Sequence, residues 1–207
     1  MKKTLLAWVA VLLCVVTAGA AQRPNVVLVI TDDQGYGDLS CHGNPVLKTP
    51  HLDKLHADSV RLTDYHVAPT CSPTRAAVMT GRYPARVGVT DWIRARFQGG
   101  QLPEDGKNPS GHYHPQKKPL EVVRNPLWME HSEVTIAEVL KGEGYVTGYI
   151  GKWHLGEEPF GPRQQGFDIQ VPRWNKGWPR AGYHAPFQLD GLKGVEGDYL
   201  TDRLTDE

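Results

Sequence analysis

Asn25-Val26-Val27-Leu28-Val29-Ile30-Thr31-Asp32-Asp33, residues 25–33, is an unbroken apolar and largely β-branched run that stops abruptly on two acids. An apolar run without polar alternation predicts a strand covered on both faces, as in a parallel sheet. Moving outward, Thr49-Pro50 reads as the cap and first residue of a helix with Leu52 and Leu55 on one face, and residues 60–67 return to strand-like alternation. This βαβ rhythm predicts an α/β fold: a mixed, largely parallel sheet sandwiched by helices.

A second helix is expected from about Ser72-Pro73 through Ala76, Ala77, Val78 and Met79 to Gly81, with Pro84 barring its continuation. Cys71 then lies at a helix N-terminus, where unpaired N–H groups and the dipole favour negative charge. Residues 92–131 lack periodicity and read as a loop or hairpin insertion. Thr135 and Glu138 form a capping-box pattern ahead of Ile136, Val139 and Leu140, with Gly142 or Gly144 ending the helix. Tyr145–Ile150 reads as a strand leading into Gly151-Lys152-Trp153-His154, residues 156–197 as loop, and 198–207 as an amphipathic helix through Leu200 and Leu204.

Lys2 and Lys3, the apolar stretch Leu5–Val16 and Ala18-Gly19-Ala20 make residues 1–20 a signal peptide, so the chain is expected to be secreted or periplasmic. The apolar stretch is too short to span a bilayer comfortably, so no stable membrane insertion is expected after cleavage. The 207 residues carry a formal net charge of +0, and with no basic face they offer nothing to recruit nucleic acid through counterion release. Removing the leader takes Cys14 with it and leaves Cys41 and Cys71, which an oxidising compartment could join as a disulfide.

Two pairs of polar residues follow expected strands: Asp32 and Asp33 after the first, Lys152 and His154 after the one ending at Ile150. Ligands of open α/β sheets bind outside the carboxyl ends of the strands, so these four groups are expected to converge on one crevice. Adjacent carboxylates are hard donors suited to Ca²⁺ or Mg²⁺; a turn with solvated aspartates is the alternative.

Cys71-Ser72-Pro73-Thr74-Arg75 fits the pattern Cys-x-Pro-x-Arg and is followed by Thr80-Gly81-Arg82. Taken with Pro24-Asn25, Thr31-Asp32-Asp33, Thr49-Pro50-His51-Leu52-Asp53, Gly151-Lys152-Trp153-His154-Leu155-Gly156 and Gly166-Phe167-Asp168, the sequence resembles the sulfatase family of the alkaline-phosphatase superfamily. The resemblance implies an alkaline-phosphatase-like fold, with residues 21–207 as the N-terminal part of a sulfatase catalytic domain that is incomplete at its C-terminus. It implies hydrolysis of sulfate monoesters on a sulfated small molecule or glycan. Cys71 would be oxidised to formylglycine by a formylglycine-generating or sulfatase-maturating enzyme. One oxygen of the hydrated aldehyde would attack sulfur and expel the alcohol, and the other would eject sulfate as the aldehyde re-forms. Asp32, Asp33 and modified Cys71 would bind Ca²⁺, with Mg²⁺ also suitable. Arg75 would stabilise the charged diol, Lys152 would hold a sulfate oxygen, and His154 would accept a proton as sulfate leaves.

The family's further Asp/Asn metal pair, second histidine and second lysine find no match in the sequence. Ca²⁺ takes about six to eight oxygen ligands, so the 207 residues alone are expected to bind metal weakly and turn over little. Related enzymes with the same nucleophile hydrolyse phosphonate or phosphate esters, which is one rival reading; an inactive exported remnant is another. His112 and His114 read as a solvated loop rather than a metal site, because no third ligand is near in sequence. Trp174, Trp178, Tyr183 and His184 either line a substrate cleft or anchor loops.

Overall fold

The computed structural model describes residues 23–93, 104–114, 119–179 and 181–207; the expected leader, 1–20, lies outside them. The chain divides into two compact units, Met1–Tyr36 and Gly37–Glu207.

In the first unit the described residues do not bear out a strand at 25–31: no ladder forms there, and Val27 and Val29 are 85% and 77% exposed. A strand satisfies its N–H and C=O groups only on a neighbouring strand. Among the described residues none pairs with this segment, so its β propensity goes unused. The same reason corrects the expected strand at 60–67, which is irregular, with Val60, Leu62, Tyr65 and Val67 exposed.

The second unit opens with a 3₁₀ turn, Ser40–His42, followed by helix α1, Pro50–Asp58. Pro50 occupies the first turn as expected, since its missing N–H is one a helix start leaves unused anyway. Leu52 and Leu55 remain exposed rather than forming a buried face. Helix α2, Cys71–Thr80, begins at the motif cysteine and ends where left-handed Gly81 (φ +66°) returns its N–H to Ala77 O at 2.8 Å. Its Ala76 and Met79 are buried, and it packs against α3, Pro84–Val87, and α4, Ile136–Gly142. Arg82, just past α2, pairs with the mostly buried Glu133 and so ties the end of α2 to the approach to α4.

The expected hairpin insertion is present as β1, His112–Tyr113, antiparallel to β2, Val122–Val123. The capping box of α4 also forms: Thr135 Oγ1 accepts from Glu138 N at 3.2 Å, and Glu138 Oε2 accepts from Thr135 N at 2.7 Å. After α4, strand β3 (Gly148–Ile150) runs parallel to β4 (Ile169–Val171), with Tyr149 opposite Gln170. The strand expected from Tyr145 is therefore shorter, though it ends at the expected residue. A parallel pair joined by a crossover and flanked by helices is an α/β arrangement, as the βαβ rhythm predicts. The C-terminal helix α5, Leu200–Thr205, packs Leu200 and Leu204 against Phe187, Leu189 and Leu192.

Asp168 explains how β3 and β4 are held at their shared start. Its Oδ1 lies 2.5 Å from Lys141 Nζ of α4, and its Oδ2 accepts from Thr147 N at 3.0 Å and Thr147 Oγ1 at 3.1 Å. The Lys141 ammonium, and after it the Thr147 N–H, pull the carboxyl down to about 2 from 3.8. A depressed carboxyl contributes stability that is full above its unfolded value and fades as pH falls through its folded one. Asp168→Asn is therefore expected to lower the urea midpoint at neutral pH, with the deficit shrinking as pH falls below 3.8 and disappearing only as it passes below about 2. A deficit independent of pH would show that the ionised carboxylate is not what matters.

Candidate functional site

Cys71 is the first residue of α2 and is half-buried. Its thiol and that of Cys41 are both free, so the disulfide alternative is not realised. Next to it Ser72, wholly buried, joins three segments: its hydroxyl donates to His154 O at 2.8 Å and accepts from Ile93 N at 2.9 Å. One turn along α2, the nearly buried Arg75 directs Nη1 to the Lys152 carbonyl and to the Tyr149 hydroxyl, the latter at 3.1 Å. Tyr149, from the middle of β3, donates its own hydroxyl to the same Lys152 carbonyl. The start of α2 is thereby pinned to the turn 152–154.

His154 has a left-handed backbone (φ 58°) and a buried ring, and its N–H donates to Asn175 O at 3.0 Å. Its Nε2 lies 2.8 Å from the Ile93 carbonyl. A carbonyl only accepts, so Nε2 carries hydrogen and Nδ1 holds the lone pair of the neutral ring. Trp153 and Leu155 on either side are fully buried, with Trp153 Nε1 donating to Phe160 O at 2.9 Å. The alternation of buried apolar and polar residues thus anchors the turn that carries Lys152 and His154. Lys152 itself is half-buried.

Gly177 lies against the imidazole: a Cβ there would meet His154 Cε1 at 2.7 Å and Nδ1 at 2.9 Å. Gly177→Ala is expected to cost about 1–3 kcal/mol by overpacking, measured by urea denaturation. In a His154→Ala background most of that cost should disappear. An undiminished cost in the double variant would mean the strain lies elsewhere.

Of the residues singled out from sequence, the structure brings the helix of Cys71 and Arg75 together with Lys152 and His154. Asp32 and Asp33 belong to the first unit, both exposed, with Asp33 left-handed at φ 55°. Trp174 packs against the Phe187 cluster and donates Nε1 to Trp178 O at 2.6 Å, so for this residue loop anchoring is realised. His112 and His114 join no three-residue metal-ligating cluster among the described residues. The reading from sequence assigned no role to Ser72, Tyr149 or Gly177. A small hydroxyl directly after the motif cysteine, and a tyrosine two residues before Gly151, are the only hints the sequence holds; nothing local marks Gly177.

The family model described as Sulfatase matches residues 24–207. The chain is 41% identical over 162 residues to arylsulfatase A of Homo sapiens, covering 75% of this chain and 27% of that protein. It is 41% identical over 143 residues to steryl-sulfatase of Homo sapiens, covering 66% of this chain and 20% of that protein. Among solved structures it is similar to Ps i-CgsB in complex with k-i-k-neocarrahexaose, with a TM-score of 0.61 and 27% identity over 89% of this chain and 40% of that one. The chain thus spans about a quarter of the length of these curated relatives.

Proposed function

We propose, because the chain belongs to the sulfatase family, that it is the nucleophile-bearing part of an exported enzyme hydrolysing sulfate monoesters to an alcohol and inorganic sulfate. The observation that carries this reading is the junction between the start of α2 and the turn 152–154. It sets a nucleophile position, a fixed guanidinium, a lysine and a histidine on adjoining segments. In this reading Cys71 is converted to formylglycine by a maturation enzyme during export, and residues 1–20 are the leader.

Asp32 and Asp33 fit a hard divalent cation by donor chemistry: two adjacent, exposed carboxylates hold their mutual repulsion best with Ca²⁺, or Mg²⁺, between them. Asp32 and Asp33 would hold the ion. When bound, it supplies positive charge against the sulfate group and lowers the proton affinity of the nucleophile. Arg75 adds a fixed positive charge one turn beyond position 71, and the unpaired N–H groups at the start of α2 add partial positive charge there. Lys152 binds a sulfate oxygen through its ammonium. His154, with Nε2–H committed to Ile93 O, takes a proton at Nδ1.

A sulfated glycan or sulfated small molecule is the proposed substrate class, and the neocarrahexaose complex of a structural relative supports the glycan. The test uses the polypeptide carrying this chain, purified from a host that co-produces a maturation enzyme, on an aryl sulfate and an aryl phosphonate with Ca²⁺ present. Sulfate release well above phosphonate cleavage is expected. A strong preference for the phosphonate would assign the site to ester hydrolysis of the phosphorus kind instead.

A further inference from the structure

Three soft or borderline donors that the proposed hydrolysis does not use come together in the second unit. Cys41 and His42 lie on the 3₁₀ turn Ser40–His42, and His56 on the last turn of α1. One ligand atom from each lies within 4.8 Å of the others, and all three side chains are half-buried. The two imidazoles stand edge to face, with centroids 5.7 Å apart and planes at 83°. We propose that Cys41, His42 and His56 form a Zn²⁺ site, with the fourth position left to water.

Three observations support it. The first is the donor set: one thiol and two imidazoles select a borderline-soft ion such as Zn²⁺ and are poor ligands for Ca²⁺ or Mg²⁺. The second is the backing of the site. Asp53, one turn before His56, accepts from Ser40 Oγ at 2.6 Å, Cys41 N at 2.9 Å and Thr49 Oγ1 at 2.9 Å. Ser40 Oγ in turn accepts from Thr49 N at 2.9 Å, and Thr49 Oγ1 from Ser40 N at 3.0 Å. The backbones bearing the donors are thus fixed to each other, while the Cys41 thiol also hydrogen-bonds Asp53; burial and that carboxylate push the thiol up, so metal entry must displace its proton. This arrangement of outer hydrogen bonds is what orients ligands in metal sites.

The third observation concerns distance. Zn–S of about 2.3 Å and Zn–N of about 2.0–2.1 Å place tetrahedral ligands about 3.5 Å apart. Side-chain rotations that move the donors inward by about 1 Å close the set on a fixed frame. Arg61 opposes this: its Nη1 lies 3.3 Å from His56 Nε2, which sets a competing cation beside one of the ligands. Arg61 is exposed, so its side chain can swing into water as the metal enters.

The test titrates the metal-stripped full chain with Co²⁺ as a spectroscopic stand-in, then displaces it with Zn²⁺. One equivalent of Co²⁺ should give the thiolate charge-transfer band and the intense visible bands of a tetrahedral site. Cys41→Ser should remove the charge-transfer band, whereas Cys71→Ser should leave it, and excess Ca²⁺ should not displace the ion. His56→Gln should weaken Zn²⁺ binding at least about tenfold, and Arg61→Gln should tighten it. Circular dichroism of each variant checks that it folds, and Arg61→Gln, altering an exposed side chain, tests the site without removing a ligand. Absence of the band in the wild-type chain, its survival in Cys41→Ser, or its loss in Cys71→Ser would overturn the proposal. None of these results depends on sulfatase turnover.

Discussion

In the polypeptide carrying this chain, and under the proposed function, Cys71→Ala is expected to lower the rate of sulfate-ester hydrolysis by about 10⁴-fold or more while shifting the melting temperature by no more than about 2 °C. The separation of the two effects follows from where the work is done. Packing at the start of α2 is carried by Ser72, Pro73, Arg75 and Ala76, all buried, whereas the Cys71 side chain is half-buried and makes no disulfide. Cys71→Ser sharpens the prediction. A serine hydroxyl can attack sulfur once, but it has no second hydroxyl with which to eject the bound sulfate, so one equivalent of alcohol should appear and turnover should then stall. Steady turnover by the serine variant would show that a single hydroxyl suffices and that the aldehyde chemistry is not needed.

Arg75→Ala is expected to destabilise the fold by about 3 kcal/mol, as read from urea unfolding. The side chain is only 5% exposed, and its guanidinium joins α2 to the Lys152 carbonyl and the Tyr149 hydroxyl. Truncation removes charge-assisted hydrogen bonds and leaves a cavity between the helix and the turn. Arg75→Lys keeps the charge, but its shorter side chain does not carry a nitrogen to where Nη1 meets both oxygens, so it should lie between the wild type and Arg75→Ala. The indole of Trp153, fully buried one residue beyond Lys152, reports the loosening as a red shift in its emission. A loss below about 1 kcal/mol in Arg75→Ala would mean the guanidinium acts on substrate without holding the turn.

The chain has the α/β, alkaline-phosphatase-like fold of its sulfatase neighbours. What the sequence revealed of it followed the range of the interactions involved. Pro50 opening α1, Gly81 closing α2 and the Thr135–Glu138 box are decided within a turn of helix, so residue type alone announces them. The apolar run 25–31 carries the composition of a central strand, but strandhood is conferred by partners distant in sequence, and no ladder forms there among the described residues. The site shows the same division. The Cys71–Arg75 motif and the Lys152-to-His154 turn are visible as short patterns. The Ser72 hydroxyl that joins them bridges 82 positions to His154 and 21 to Ile93, a relation no local pattern encodes. Gly177 is the extreme case, since its value lies in the missing Cβ over the His154 ring.

The proposed hydrolysis depends on the chemical state of position 71, and mass spectrometry of the peptide spanning it reads that state directly. In protein exported from a host with an active maturation enzyme, an aldehyde, or its hydrate, is expected in place of the thiol, trapped as a hydrazone by a hydrazine reagent. An intact thiol at full occupancy, or a peptide covalently joined to the one containing Cys41, would contradict it.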